Sequence, residues 1–305
     1  MFVKTLEILY NLDVKTAIAI IGAGYWGKHL IRVFSQIPGV EIKYVVDTNQ
    51  RQLASLMNLP PATLTLCTAD PLWQDNKLMA VLIATPASSH YQLARDALLS
   101  GKHVWVEKPM TPTYAEAEAL VNLAKKKNLI LHVDHTFLYS GPIIKLKEII
   151  GGLGIGALRY LDSERRNLGL IQQDVNVLHD LATHDVSIFQ YLIGKKPITV
   201  QAFGATFVSQ DQAHPKEEIA HVFIRYPDNI FAHVAVSWIS PIKTRRMIIG
   251  GAQQMVLYDD AELVEKIKIY NSSITIDRAH DFSISPVYRV GSVIAPYFDN
   301  TEPLF

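Results

Sequence analysis

The sequence predicts an α/β fold: a doubly wound parallel sheet first, then a second domain built on an open, mostly antiparallel sheet. Three observations predict it. From Ala17 onward, short apolar runs alternate with segments of helical period, the signature of repeated βα units. Those runs are uniformly apolar rather than alternating, as strands covered by helices on both faces must be. After about residue 155 the texture changes to long strand-like stretches separated by hairpin signals, which antiparallel pairing requires.

In order, the apolar runs are 17–21, 42–46, 78–84, 104–106 and 129–133, with helical patterns at roughly 25–36, 49–58, 88–100 and 113–127. The second half holds a helix at roughly 175–193 and strand-like stretches at 157–165, 198–208, 218–226, 230–239, 245–250, 253–259 and 264–270. Tyr226-Pro227-Asp228-Asn229 and Gly250-Gly251 carry turn chemistry. The glycine-rich stretch 151–156 breaks the βα pattern. The expected organisation is an N-terminal extension over 1–15, a dinucleotide-binding domain over 16–135 and a substrate and oligomerisation domain over 136–305. Leu6, Ile8, Leu9 and Leu12 have the spacing of a short packed helix within the extension.

Composition removes several classes of function. The 305 residues are 49% hydrophobic and 19% charged, too apolar for a disordered chain. A single cysteine, Cys67, leaves no disulfide framework or CxxC motif. Lys+Arg 29 balance Asp+Glu 29, so no basic field calls for nucleic acid or an anionic membrane. No run approaches the roughly 18 apolar residues of a membrane span. The N-terminus does not read as a signal peptide, with Leu12-Asp13 where an apolar stretch would be needed. The expectation is a cytoplasmic globular protein.

Ligands of doubly wound sheets bind at the carboxyl ends of the strands, and the motifs of the first half sit there. Gly22-Ala23-Gly24-Tyr25-Trp26-Gly27 follows a strand and opens a helix. Such glycines allow a tight turn and let backbone approach a pyrophosphate at the helix N-terminus. Asp47 ends the next strand at the spacing expected of a ribose-binding acid. A carboxylate there favours NAD over NADP. Thr85-Pro86 and, at the following helix start, His90 form an expected wall of the cofactor cleft. Glu107-Lys108-Pro109 closes the run 104–106, a place where Lys108 can meet a substrate hydroxyl and a cis proline can aim it.

The helix near 175–193 carries Asp180 and His184 at i, i+4. At 100° per residue they stack on one side, as an acid/base pair in which the carboxylate orients the imidazole. Asp185 falls in the apolar stripe and needs a buried partner. His179 lies about 140° from His184, so no metal site is expected.

Together these residues resemble the Gfo/Idh/MocA oxidoreductase family: GAGYWG near the start, EKP after a central strand, and Asp-x-x-x-His on a helix of the second domain. The resemblance covers roughly residues 16 to 300. It implies that Lys108 and His184 flank a sugar carbon that loses hydride to nicotinamide, with Asp180 supporting them. It leaves open which of Lys108 and His184 takes the hydroxyl proton. Glu107 and the Pro109 peptide would shape the nicotinamide pocket. A finer likeness is to the branch that oxidises C3 of UDP-N-acetylglucosamine or its uronate, carried by Gly24-Tyr25-Trp26-Gly27-Lys28, His135-Thr136-Phe137-Leu138-Tyr139, Arg166-Asn167-Leu168-Gly169 and Asn176-Val177-Leu178. It implies Arg166 on a diphosphate or carboxylate, with Asn167, Asn176 and Tyr139 on sugar hydroxyls. The family also implies a homo-oligomer formed through the second-domain sheet.

Two departures stand out. Asp134 occupies the position before His-Thr-Phe where that branch usually has glycine. The chain ends at Leu304-Phe305 where relatives continue into closing helices. The alternatives are an inositol or free-aldose dehydrogenase of the same family, and a non-catalytic, truncated NAD-binding or regulatory homologue.

Overall fold

The structure, a computed structural model, describes residues 15–208, 216–277, 285–300 and 302–304. The expected helix around Leu6–Leu12 lies outside the described residues. The chain divides after Asp134 into two compact units.

The first unit is a six-stranded parallel sheet in the order β3-β2-β1-β4-β5-β6. Its strands are β1 (Thr16–Ile21), β2 (Val40–Val46), β3 (Leu64–Leu66), β4 (Leu78–Ile83), β5 (His103–Glu107) and β6 (Leu131–Asp134). Between them run α1 (Tyr25–Phe34), α2 (Gln50–Ala54), α3 (Asp70–Gln74), α4 (Ala87–Leu99) and α5 (Tyr114–Lys127). Ala17 to Ile21, Val81 to Ile83 and both valines of β5 are buried, the two-sided burial that uniformly apolar strands require. β3 and α3 were not legible in the sequence: Leu64-Thr65-Leu66 is too short to show any period. α5 is delimited by local chemistry. Thr113 and Glu116 close a reciprocal capping box, and Asn128 adopts φ 54° beyond Lys127. The strand order reverses between β1 and β4, which opens a crevice at the carboxyl ends of β1, β2 and β4.

The second unit is built on an eight-stranded sheet ordered β16-β13-β12-β11-β7-β10-β9-β8. β7 (Leu158–Leu168), β8 (Thr199–Ala205), β9 (Ile219–Arg225), β10 (Phe231–Ser237), β11 (Ile239–Gly251), β12 (Met255–Asp259), β13 (Ile267–Tyr270) and β16 (Val293–Ile294) form it. β14 (Ser273–Asp277) and β15 (Ser285–Arg289) make a separate ribbon. All neighbours in the main sheet pair antiparallel except β7 and β10, which run parallel. One face is covered by α6 (Gly141–Gly151) and α7 (Thr183–Ile193), whose Ile143, Leu146, Ile188, Phe189 and Leu192 share a core with Val222, Val234, Val236, Trp238 and Met247. Among the described residues no helix covers the other face, where Phe203 is 66% and Phe231 42% exposed. No helix among the described residues is long and apolar enough to cross a membrane.

Candidate active site

The glycine loop of the first unit is dictated by contact distances. Gly22 has φ +100°, and a Cβ there would lie 2.4 Å from the Ala84 carbonyl oxygen. A Cβ on Gly27 would lie 1.9 Å from Gly22 O, so α1 can sit this close to the turn only with glycine. Gly24 differs: a Cβ there meets nothing within 4 Å. It faces the open side of the loop, where α1 presents its N-terminus without a side-chain cap, the arrangement that receives a phosphate.

Gly24 lines a cavity of about 760 Å³ together with Gly22, Asp47, Asn49, Thr85, Pro86 and Trp73. Asp47 Oδ2 accepts the Ala23 N–H at 2.8 Å and Oδ1 accepts the Asn49 N–H at 2.8 Å. The carboxylate thus ties β2 to the glycine loop and keeps lone pairs for further donors. Among the described residues the lining carries three carboxylates, Asp47, Asp70 and Asp96, and no lysine or arginine. The volume, the open cradle at Gly24 and the acid at the β2 end fit a dinucleotide. Gln52, on α2, and Cys67 and Trp73, which β3 and α3 bring there, line the same cavity without having been expected as site residues.

Other first-unit residues take different positions. Tyr25 is 81% exposed at the start of α1, edge-on to His29 at 4.9 Å. Trp26 stands beside it, its Nε1–H buried without a hydrogen-bond partner among the described residues. His90, expected on the cleft wall, is a correction: it is 1% exposed and absent from the cavity lining. Its Nδ1 lies 2.8 Å from Pro109 O and its Nε2 2.8 Å from Thr85 O. The ring ties the loop after β4 to the loop after β5 from behind. Lys108 follows the last residue of β5, half-buried, before a cis peptide to Pro109. Glu107 Oε2 accepts the Lys108 amide N–H at 3.3 Å.

In the second unit, Asp180 and His184 stand where the helix is irregular. Leu178–Ala182 forms a π turn before α7, so the uniform α-helical winding expected over 175–193 does not hold. Asp180 Oδ2 accepts the indole N–H of Trp238 at 2.9 Å, and His184 packs edge-on against Phe137 at 4.8 Å. Phe137 in turn lies under the Arg165 guanidinium, 4.6 Å from the ring centroid. Asp185 finds its partners: Arg165 Nε donates to Oδ2 at 2.8 Å and Ser163 Oγ to Oδ1 at 2.6 Å. Trp238, Phe137 and Arg165 are supports the sequence reading missed; the need of Asp185 for a buried cation was the available signal.

The expected sugar contacts separate. Asn167 Oδ1 is buried with no hydrogen-bond partner among the described residues, an orphan acceptor of the kind a ligand hydroxyl satisfies. Tyr139 is 52% exposed at the end of the 3₁₀ turn Thr136–Tyr139. Asn176 is a correction. Its Oδ1 accepts the His179 N–H at 3.0 Å and its Nδ2 donates to Glu217 at 2.9 Å, so its amide caps the helix. Arg166 is another. Strand residues alternate faces, and Arg165 points to α7, so Arg166 points to the open face. There it donates to Glu164 at 3.0 Å and borders a pocket of about 250 Å³ with His221, Ser237 and Ser240. The sheet lies between Arg166 and the Asp180–Trp238 pair. Among the described residues, no group of three or more His, Cys, Asp or Glu is arranged to hold a metal ion.

Comparison with known proteins agrees with this architecture. Residues 16–135 match the family described as oxidoreductase family, NAD-binding Rossmann fold, and residues 143–257 match the GFO/IDH/MocA C-terminal domain. A UDP-N-acetylglucosamine 3-dehydrogenase from Acidithiobacillus ferrooxidans is 29% identical over 238 residues, 75% of this chain and 69% of that protein. Its solved structure superposes with a TM-score of 0.75 at 25% identity, covering 95% of this chain and 86% of the other. A structure from Magnetospirillum magnetotacticum MS-1 gives 0.77 at 28% identity over 95% and 88%. The WlbA dehydrogenase from Bordetella pertussis, solved with NADH and UDP-GlcNAcA, shares the fold at TM-score 0.72 and 18% identity over 81% and 74%. The chain belongs to the Gfo/Idh/MocA oxidoreductase family, and its first unit is that family's NAD-binding Rossmann domain.

Proposed function

We propose that this chain is an NAD-dependent dehydrogenase of a sugar ring hydroxyl, acting on C3 of a UDP-N-acetylhexosamine or its uronate. The observation that carries the reading is the 29% identity to a UDP-N-acetylglucosamine 3-dehydrogenase across 75% of this chain. The glycine loop, Asp47, Thr85 and Pro86 would hold the dinucleotide, and the nicotinamide supplies the hydride acceptor when bound. The acid-lined cavity supports NAD over NADP: a 2′-phosphate would meet Asp47 with no lysine or arginine in the lining among the described residues. One unit charge about 5 Å away at an effective dielectric near 20–40 costs roughly 2–3 kcal/mol.

In this reading Lys108 and His184 bind the reacting hydroxyl and one of them takes its proton. Asp180, oriented by Trp238, supports them. Asn167 offers its unsatisfied carbonyl to a sugar hydroxyl. Arg166 acts on the open face instead, where exposed Phe203 and Phe231 support a homo-oligomer formed through the sheet. The test is spectrophotometric. The purified protein is mixed with NAD and, separately, UDP-N-acetylglucosamine, its uronate, free N-acetylglucosamine and myo-inositol; a parallel run adds an oxoacid to reoxidise trapped cofactor and follows the keto-sugar product instead of absorbance. Reduced-nicotinamide absorbance with UDP-sugars alone, lost in Lys108→Ala and His184→Ala, is the expected result. Turnover of myo-inositol or the free sugar instead would replace the substrate, and tight NAD binding without any turnover would overturn the catalytic reading.

A further inference from the structure

After β16 the chain has no regular structure over 295–300, and this segment comes to rest on the start of α6. Its seat is marked by a glycine. Gly141 is the first residue of α6, and a Cβ there would lie 1.4 Å from the Asp299 carbonyl oxygen. The helix itself does not need glycine. The φ of Gly141 lies outside the left-handed region, and alanine is the better helix former. The missing side chain is what admits the backbone of Asp299. The approach also suits the helix: the first N–H groups of α6 have no side-chain cap, and a carbonyl oxygen there meets the positive end of the helix dipole. Beside Asp299, Phe298 is half-buried against the core that α6 and α7 share with the sheet, while Tyr297 is 87% exposed. Phe298 and the Asp299 backbone thus anchor a segment that lies beyond the 143–257 family match.

From Gly141 the contacts lead to the proposed acid/base pair. The neighbouring Ser140 is buried. Its N–H donates to Phe137 O at 3.1 Å and its Oγ to the same oxygen at 2.7 Å, closing the 3₁₀ turn Thr136–Tyr139. Phe137, from that turn, packs against the same core as Phe298. It stands edge-on to His184 at 4.8 Å and carries the Arg165 guanidinium over its ring at 4.6 Å. So short a 3₁₀ turn has poor hydrogen-bond geometry of its own and depends on the packing around it. We propose that Tyr297–Asn300 is a strap: seated on Gly141, it fixes Ser140 and the 3₁₀ turn, and through Phe137 it holds the ring of His184 in place. Gly141 and Phe298 are then positioning residues that act through Phe137.

The size of the effect follows from the contact. Alanine at 141 forces the Asp299 carbonyl back by roughly 2 Å to reach ordinary van der Waals separation. Phe298, one residue away, is drawn from its place in the core, and the turn loses packing where it meets α6. A reacting group misplaced by about 1 Å can lose about 100-fold in rate. His184 is still carried by α7 and loses only the constraint from Phe137, so a fall of about 10-fold is expected. The glycine loop that would hold the dinucleotide shares no residue with this chain of contacts, so NAD binding should not change.

The catalytic consequence rests on the proposed role of His184, so the first measurements are independent of turnover. In the full wild-type chain, a nuclear Overhauser effect between the α-protons of Gly141 and Asp299 is expected. Its absence means that the strap is not seated and overturns the proposal, whether or not any variant folds. Gly141→Ala suits the helix backbone and restricts the unfolded chain, so it should fold. Amide exchange over 136–144 should quicken by on the order of 10-fold in this variant. The ring resonances of His184, identified by their loss in His184→Gln, should shift as Phe137 moves. Phe298→Ala should shift them too, and Phe298→Leu should restore them. His184 resonances that keep their wild-type positions in both Gly141→Ala and Phe298→Ala overturn the proposal. Turnover is measured last, on whichever sugar is oxidised. A fall in kcat of about 10-fold, with KM for the sugar and Kd for NAD near wild type, supports positioning, because a general loss of fold would move all three. A kcat that stays at the wild-type value while the resonances shift overturns the catalytic part. A protein whose His184 resonances follow the strap but which oxidises no sugar keeps the strap and loses the proposed function instead.

Discussion

Gly24 and Gly27 lie three residues apart in one loop, and the structure assigns them opposite tolerances. At Gly24, φ −70° and ψ −160° are open to any residue, and a new Cβ meets nothing within 4 Å. Gly24→Val loses a favourable N-cap, about 0.5–1 kcal/mol, and gains about as much by restricting the unfolded chain. Net stability should move by less than about 0.5 kcal/mol. The added methyl groups, however, project over the open N-terminus of α1, where a diphosphate would lie. Losing two charge-assisted N–H bonds costs about 3 kcal/mol, so the Kd for NAD should rise roughly 100-fold. At Gly27 the Cβ would sit 1.9 Å from Gly22 O, and α1 must retreat by more than an ångström. Gly27→Ala should therefore cost about 2–4 kcal/mol of folding stability, a fall in Tm of roughly 5–15 °C. The assay is thermal unfolding of each variant beside calorimetric titration with NAD, followed also through Trp73, which lines the cavity. Gly24→Val with unchanged Tm and unchanged NAD affinity would refute the placement of the diphosphate over this loop. A Gly27→Ala protein as stable as wild type would refute the contact argument itself.

Three further outcomes are expected. Asp47→Asn removes the charge that opposes a 2′-phosphate, so the ratio of NAD to NADP affinity should fall about 10- to 100-fold; an unchanged ratio in competitive titration would move the selectivity elsewhere. Asp185→Ala strands Arg165, whose side chain is 7% exposed, and should cost about 3–5 kcal/mol. That is a drop in Tm of roughly 10 °C, and a Tm within about 2 °C of wild type would show that the pair is not needed. Asn167→Ala gives up no hydrogen bond within the described residues, so it should fold normally and raise KM for the sugar about 10-fold while leaving NAD binding intact; an unaltered KM would remove Asn167 from the substrate site.

What could be read in the sequence was whatever depends on neighbours along the chain. The glycine loop, its spacing to Asp47 and the placement of Lys108 at a strand end are local, and each strand and helix that fixes them has its own period. The short β3 and α3 have none, so the cavity wall that carries Cys67 and Trp73 was invisible. His90 looked like a cleft residue because it opens α4; the carbonyl that holds it belongs to Pro109, 19 residues away. Trp238 is 58 residues from Asp180, beyond any local pattern. Asn176 was taken for a sugar contact when its spacing to His179 is also that of a helix cap, and only the start of the helix decides between the two.

The sharpest case is the pair Arg165-Arg166 on β7. A strand turns alternate side chains to opposite faces, so one of the two must meet α7 and the other must not. Nothing in the two identical side chains says which. The decision comes from α7: Asp185 lies in its apolar stripe and cannot be buried without a cation. Ser163 and Arg165, two residues apart and so on one face of the strand, are the residues that bind it. That pairing sets the phase of β7, turns Arg166 to the open face and leaves Asn167 on the side of Arg165. It also seats the Arg165 guanidinium on Phe137, which packs against His184. A buried ion pair is weak evidence for stability but good evidence for register. Here the register it selects determines which β7 side chains share a face with the proposed acid/base pair.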